Sequence, residues 1–192
     1  MASNVENAYV AQKADTGVFL SAPLGTELSE SPTAALDPAF KDHGELAEDG
    51  IAIGITRKSN DINGFNGQVF VDVQTEYSGT FKVTFLEASN VEVKKTLFGD
   101  ANVEVTPATS TVGAIIHTAH NADQLPLKAF VIQTKYGAKR KRYEIEKGRV
   151  SELAEFKDAS SDVTRYEATI KSFENSNGNF VEEYETDGKP TP

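Results

Sequence analysis

Two stretches of two-residue alternation, Gln68–Tyr77 and Thr80–Ala88, constrain this chain more than anything else in it. In QVFVDVQTEY, the side chains of Val69, Val71, Val73, Thr75 and Tyr77 fall on one face of an extended chain. Gln68, Asp72, Gln74 and Glu76 fall on the other, with Phe70 as the exception. In TFKVTFLEA, Phe81, Val83 and Phe85 alternate with polar or intermediate residues. Such a period marks half-buried strands, with Val71, Val73 and Thr75 expected in a sandwich core. The break at Ser78-Gly79 predicts an antiparallel hairpin joining the two.

The period then changes. Ser89 stands three residues before Glu92, a capping-box spacing, and Gly99 supplies a closing residue. Val91, Lys94, Lys95 and Phe98 share one helical face, with Val93 and Leu97 adjoining it, so a short helix is predicted over about residues 90–98. Elsewhere, strands are expected at Leu46–Arg57 (two short ones around Asp49-Gly50), Asn102–Thr106 and Val112–Ala119, the last of them buried. Hairpins are expected for Leu127–Tyr136 with Lys139–Ile145, and for Val163–Phe173 with Phe180–Glu185. About ten strands and one helix predict a mainly β chain, a sandwich or barrel with a flanking helix. One domain over residues 1–185 is expected, with a mobile tail over 186–192.

Residues 22–44 hold three prolines, two glycines and no sustained period. A loop of that length is either functional or a loose surface segment.

At 192 residues the chain can bury around 70% of its unfolded surface. The start MASNVENAYVAQKAD has neither a basic head nor an apolar segment, so no secretory signal is expected, and no apolar run is long enough to span a membrane as a helix. The absence of cysteine excludes disulfides and thiol chemistry. A net charge of -10 argues against a sequence-reading nucleic-acid binder. It suits either plain solubility or a wall past which a polyanion slides, since attractive phosphate contacts would add friction.

No constellation of catalytic residues is legible. No G-x-S-x-G elbow, Walker loop or dinucleotide fingerprint occurs. His117, His120 and Asp123 are spaced by three, but two imidazoles without a third nitrogen or sulfur ligand make a poor metal site. His43 has no recognisable partner. No enzyme, cofactor or metal is expected. The basic run Lys139-Arg140-Lys141-Arg142 on a strand would point Arg140 and Arg142 one way with Glu144 and Glu146, and Lys139 and Lys141 the other. It could be a DNA patch, a strand face meeting acidic groups of an adjacent subunit, or a solvated strand.

The run KDHGELAEDGI (residues 41–51), followed by VFVDVQTEYSGTFKVTFLEASNVEVKKTLFGDANV (69–103), resembles the major tail tube protein of long-tailed phages infecting actinobacteria. The correspondence extends over roughly residues 5–175. One departure is that Asn60–Gly67 has no Trp; Phe65 is the aromatic residue there. The resemblance implies a β-sandwich whose copies close into six-fold rings, stacked into a tube that conducts DNA without reading it. It implies a protein assembled in the host cytoplasm and found in the virion tail, with tape measure and tail terminator proteins as partners and no membrane insertion. On that reading Asp72, Gln74 and Glu76 face the lumen. Leu24, Leu28, Leu36 and Phe40 of the irregular loop, with Arg140 and Arg142, lie between subunits. Trimming Leu24–Leu36 should then spare the monomer. The alternatives are a carbohydrate- or receptor-binding β-sandwich, against which the lack of Trp weighs, and a small hydrolase.

Overall fold

The computed structural model describes residues 4–189. In chain order the strands are β1 (Gln12–Lys13), β2 (Phe19–Pro23), β3 (Lys41–Asp42), β4 (Leu46–Asn63) and β5 (Val69–Phe85). After helix α1 (Val91–Phe98) come β6 (Val103–Thr106), β7 (Ile115–Thr118), β8 (Lys128–Tyr136), β9 (Lys139–Leu153), β10 (Tyr166–Ser172) and β11 (Glu182–Thr186). The chain is mainly β with one short α-helix, as the alternation predicts.

One antiparallel sheet runs β3-β2-β8-β9-β10-β5-β4, with β1 added to β8 and β11 to β9; β6 and β7 pair separately. Its first and last strands, β3 and β4, are joined by only His43, Gly44 and Glu45. Four Cα steps reach at most about 14 Å, so the two sheet edges must come together at that end and the sheet curls towards a barrel. Lys13 on β1 pairs with Glu45 at 2.5 Å, holding the curl.

The inner face of the curl is the core. Phe19, Phe130, Ile132, Ile145, Ile170, Phe81, Val83 and Phe85 are all but solvent-free there, and Val93 and Leu97 of α1 close over them. The outer face divides in two. Over β2 and β8, the buried Leu20, Ala22, Ala129 and Val131 pack under Phe40, with Leu28, Leu36 and Ala39 beside it. Over β10 and the barrel part of β5 the outer positions Thr80, Lys82, Glu167 and Thr169 are partly or fully exposed, while Thr84 is buried.

Several sequence expectations are corrected. Ser78-Gly79 is not a turn: β5 runs straight through it, and the hairpin turns at Gly64–Gln68, where the Gly64 N–H donates to the Gln68 carbonyl at 2.8 Å. Glycine is needed at 79 for close approach, because a Cβ there would stand 2.5 Å from the Ser172 Oγ. Leu46–Arg57 is likewise one strand, with the Asp49-Gly50 break absorbed as a register shift before Ile51. Val71, Val73 and Thr75 are exposed rather than in the core, since no other strand or helix covers that part of β5.

The helix is capped by Asn90, not Ser89: the Asn90 Oδ1 accepts from the Glu92 N–H at 2.9 Å. Gly99, at φ 96, ends it by donating to the Lys95 carbonyl. Its buried face is Val93, Thr96 and Leu97. Val112–Ala119 contains β7, but that strand is largely exposed in its own two-stranded sheet. β10 and β11 do not form a hairpin; both pair with β9, along different halves of it. Of the tail expected at 186–192, Thr186 belongs to β11, and residues 190–192 lie outside the described residues.

Candidate assembly surface

Beyond Ile55 and Gly79, β4 and β5 continue together with no third strand beside them. The segment from Thr56 to Ser78 is therefore a two-stranded arm standing off the barrel. Directly opposed residues of an antiparallel pair point the same way, so the register sorts the arm into two faces. Ile53 and Ile55 of β4 and Tyr77 of β5 lie on the face continuous with the barrel interior; past the register shift between Lys58 and Ser59, where Thr75 is the extra residue, Ile62, Val71 and Val73 share a face, with Val69 beyond a second shift. Most of these are solvent-exposed, Ile55 at 62% and Val69 at 57%. An isolated hairpin gains little from such a face, and a row of exposed β-branched residues beside an open strand edge is an association hazard unless something covers it.

The arm also carries polar pairs. Asp72 stands opposite Asp61, Gln74 opposite Ser59 and Glu76 opposite Lys58. The Lys58 ammonium bonds the Glu76 carboxylate at 2.6 Å and lowers its pKa. Farther down, Lys82 meets Glu167 at 2.7 Å, which raises the lysine pKa. All three predicted lumen residues are exposed, but a register shift at Thr75 separates Glu76 from Gln74, whose partners Lys58 and Ser59 are neighbours in β4 and point to opposite faces. Phe65, at the arm's turn, and Phe70 are also fully or largely exposed.

The predicted inter-subunit residues are not brought together. Leu24 is 47% exposed, but Leu28 and Leu36 are half-buried and Phe40 is buried against the chain's own sheet. Arg140 donates to the carbonyls of Gly137 and Lys139, ending its own hairpin. Arg142 is buried: it donates to the Ser29 hydroxyl, to the Ser31 and Ala34 carbonyls, and to the Gln133 side chain at 2.9 Å. Glu144 beside it accepts from the Ser29 hydroxyl at 2.7 Å and the Glu30 N–H at 3.2 Å. These bonds staple the irregular loop to the sheet, so it is a covering layer and not an arm, and trimming it would expose a buried ion pair. The Lys141 side chain finds its acids within the chain, at Glu183 and Glu185. Burial works against its charge, but those two bonds outweigh it and the pKa is raised.

The histidines have separate structural roles. His117 on β7 lies opposite Glu104, the His120 ring stacks on Phe98 at 4.4 Å, and Asp123 accepts from the Asn121 amide. No group of three or more His, Asp or Glu suited to a metal ion occurs among the described residues. His43, contrary to expectation, is fully buried with partners. The Lys41 carbonyl can only accept, so Nδ1 carries the hydrogen and Nε2 accepts from the Thr96 hydroxyl at 2.8 Å. Ser21 lies 3.4 Å from Nε2, yet both residues are sealed in the core and no carboxylate orients the ring. This is a packing relay linking β2, α1 and the barrel closure.

No family model and no curated protein sequence matches the chain. Among solved structures it is similar to a chain of the extended sheath–tube complex of an extracellular contractile injection system (PVC), at 9% identity over 95% of this chain and 96% of that one, with a TM-score of 0.47. It is similar to a chain of the native gene transfer agent virion, at 12% identity over 92% and 99%, with a TM-score of 0.43. A third is the tube-terminating cap of the anti-feeding prophage, at 10% identity over 97% and 100%, with a TM-score of 0.42. With scores below 0.5, these likenesses carry no functional argument.

Proposed function

We propose that this chain is a major tail tube subunit of a long-tailed phage, self-assembling into stacked six-fold rings that conduct DNA. The observation that carries the reading is the arm from Thr56 to Ser78: Tyr77 at its root packs on Phe180 at 4.6 Å, but Ile62, Val69, Val71 and Val73 are left exposed to solvent. A second copy supplies the missing cover, and the open edges of β4 and of the arm part of β5 supply backbone donors and acceptors for strand pairing between copies. A head-to-tail contact of this kind closes into rings and stacks into filaments. Asp72, Gln74 and Glu76 then line the channel, with the tape measure and terminator as the partners of a virion tail.

The sequence resemblance to the tail tube family supports this over a carbohydrate-binding sandwich. The test is negative-stain microscopy and light scattering across protein concentration, without added cofactor. Rings or tubes are expected; a chain that stays monomeric at high concentration and fails to join tails when mixed with other tail proteins overturns the reading.

A further inference from the structure

Neighbouring strands of the sheet bring some charges of opposite sign together, as in Lys58–Glu76 and Lys82–Glu167. Among the described residues four directly opposed pairs are of like sign, but Lys135 opposite Arg140 is answered by Asp15 and Glu144 opposite Glu182 by Arg142, which leaves two pairs with no ion-pair partner on either member. Asp61 stands directly opposite Asp72 near the far end of the arm, and Arg149 directly opposite Lys171 where β10 ends beside the arm's root. Like charges directly opposed are unfavourable in a sheet, and none of these four side chains has an ion-pair partner among the described residues. The two remaining pairs are opposite in sign.

The basic pair is also held in place. Both cations lie over the Phe173 ring, at 5.5 Å for Arg149 and 5.9 Å for Lys171, and the Arg149 Nε is buried with no hydrogen-bond partner. Within one chain the two pairs cannot meet. Asp72 lies eight residues along the same strand from Thr80, which is opposite Lys171, a distance of roughly 26 Å in extended chain. That is about three screening lengths at physiological salt.

We propose that these pairs are the two halves of one contact between copies, the Asp61–Asp72 pair of one subunit lying beside the Arg149–Lys171 pair of the next. The proposal rests on the tube reading and adds to it the register of the arm. The occupant is a second copy because one chain carries both halves: a polyanion would account for the basic pair and leave the acidic one unexplained. A contact joining unlike patches of identical chains is heterologous and repeats. Copies that each carry a net charge of -10 repel at long range, so local pairing of this kind also fixes which surfaces come together.

The experiment is a charge-reversal exchange read by light scattering and negative-stain microscopy at low salt. Asp61→Lys/Asp72→Lys and Arg149→Glu/Lys171→Glu should each fail to assemble alone, and an equimolar mixture of the two should assemble. Circular dichroism and melting temperature check that each is folded. Should either reversal lower the melting point, Asp61→Asn/Asp72→Asn and Arg149→Gln/Lys171→Gln replace them, each raising the concentration needed for assembly at least tenfold. Reversed variants that assemble as the natural chain does, or a mixture that stays monomeric, overturn the pairing while leaving the tube reading intact. A natural chain that never assembles overturns both.

Discussion

His43 is a fully buried titratable side chain, so its charge state and the stability of the fold are linked. Burial pushes its pKa down to about 4, from an ordinary value of 6.5. Above pH 6.5 neither the folded nor the unfolded chain protonates it, and it contributes no pH dependence. As pH falls through 6.5 the unfolded chain takes up the proton first, so stability drops, and the loss levels off below about pH 4. The separation corresponds to about 3 kcal/mol. We predict that His43→Gln, though less stable at pH 7, removes a slope of about that size between pH 6.5 and 4, measured by urea denaturation. An unchanged slope would mean the ring is not held neutral. Arg142 and Glu144 make a second test. Arg142→Met alone leaves the Glu144 carboxylate buried without its cation and should cost about 3–5 kcal/mol, whereas Arg142→Met with Glu144→Leu should recover most of it. Equal losses in the single and double variants would show that the loop's bonds, not the charge balance, decide stability.

At the scale of elements, the arm is separable from the barrel because it adds no side chain to the core cluster. Joining Arg57 to Tyr77 through an Asn-Gly turn removes residues 58–76 and keeps the Arg57 guanidinium over the Tyr77 ring. Chemical denaturation should show a change within about 1 kcal/mol, while rings and tubes disappear. A shortened chain that unfolds would make the arm part of the folding unit, and one that polymerises would remove it from the interface. The alternation at Gln68–Phe85 made the strand legible, but not whether its apolar side is buried: a valine row left exposed has the same period as one packed into a core. Gly79 misled for a related reason, since a glycine admitted for contact with Ser172 looks the same in sequence as one admitted for a turn. The closure by His43–Glu45 and the Arg142–Glu144 staple depend on pairings distant in sequence, and no local pattern announces them. Asp72, Gln74 and Glu76 were legible as exposed polar positions from the strand period, but the register shift at Thr75 that separates Gln74 from Glu76 was not; Phe40 and Arg142 were not legible as buried, because what covers them is irregular chain.

For the whole molecule, the charge around the arm is balanced and not simply acidic. Between the arm and β9, four cations (Lys58, Lys82, Arg149, Lys171) stand against five carboxylates (Asp61, Asp72, Glu76, Glu152, Glu167). Surface ion pairs such as Lys58–Glu76 and Lys82–Glu167 add little to stability; here they neutralise two ammonium groups. Replacing Glu76 and Glu167 with Gln turns a surplus of one carboxylate into a surplus of one cation per subunit, repeated along the tube, while Asp61, Asp72, Arg149 and Lys171 stay in place for assembly. Tubes of the natural chain should leave double-stranded DNA in solution at all salt concentrations. Tubes of the Glu76→Gln/Glu167→Gln chain should bind it below about 50 mM salt and release it by about 200 mM, because each phosphate contact frees counterions. Co-sedimentation across a salt series reads this directly. Tubes that form normally and ignore DNA at every salt concentration would place Glu76 and Glu167 on the outside of the tube, away from the channel.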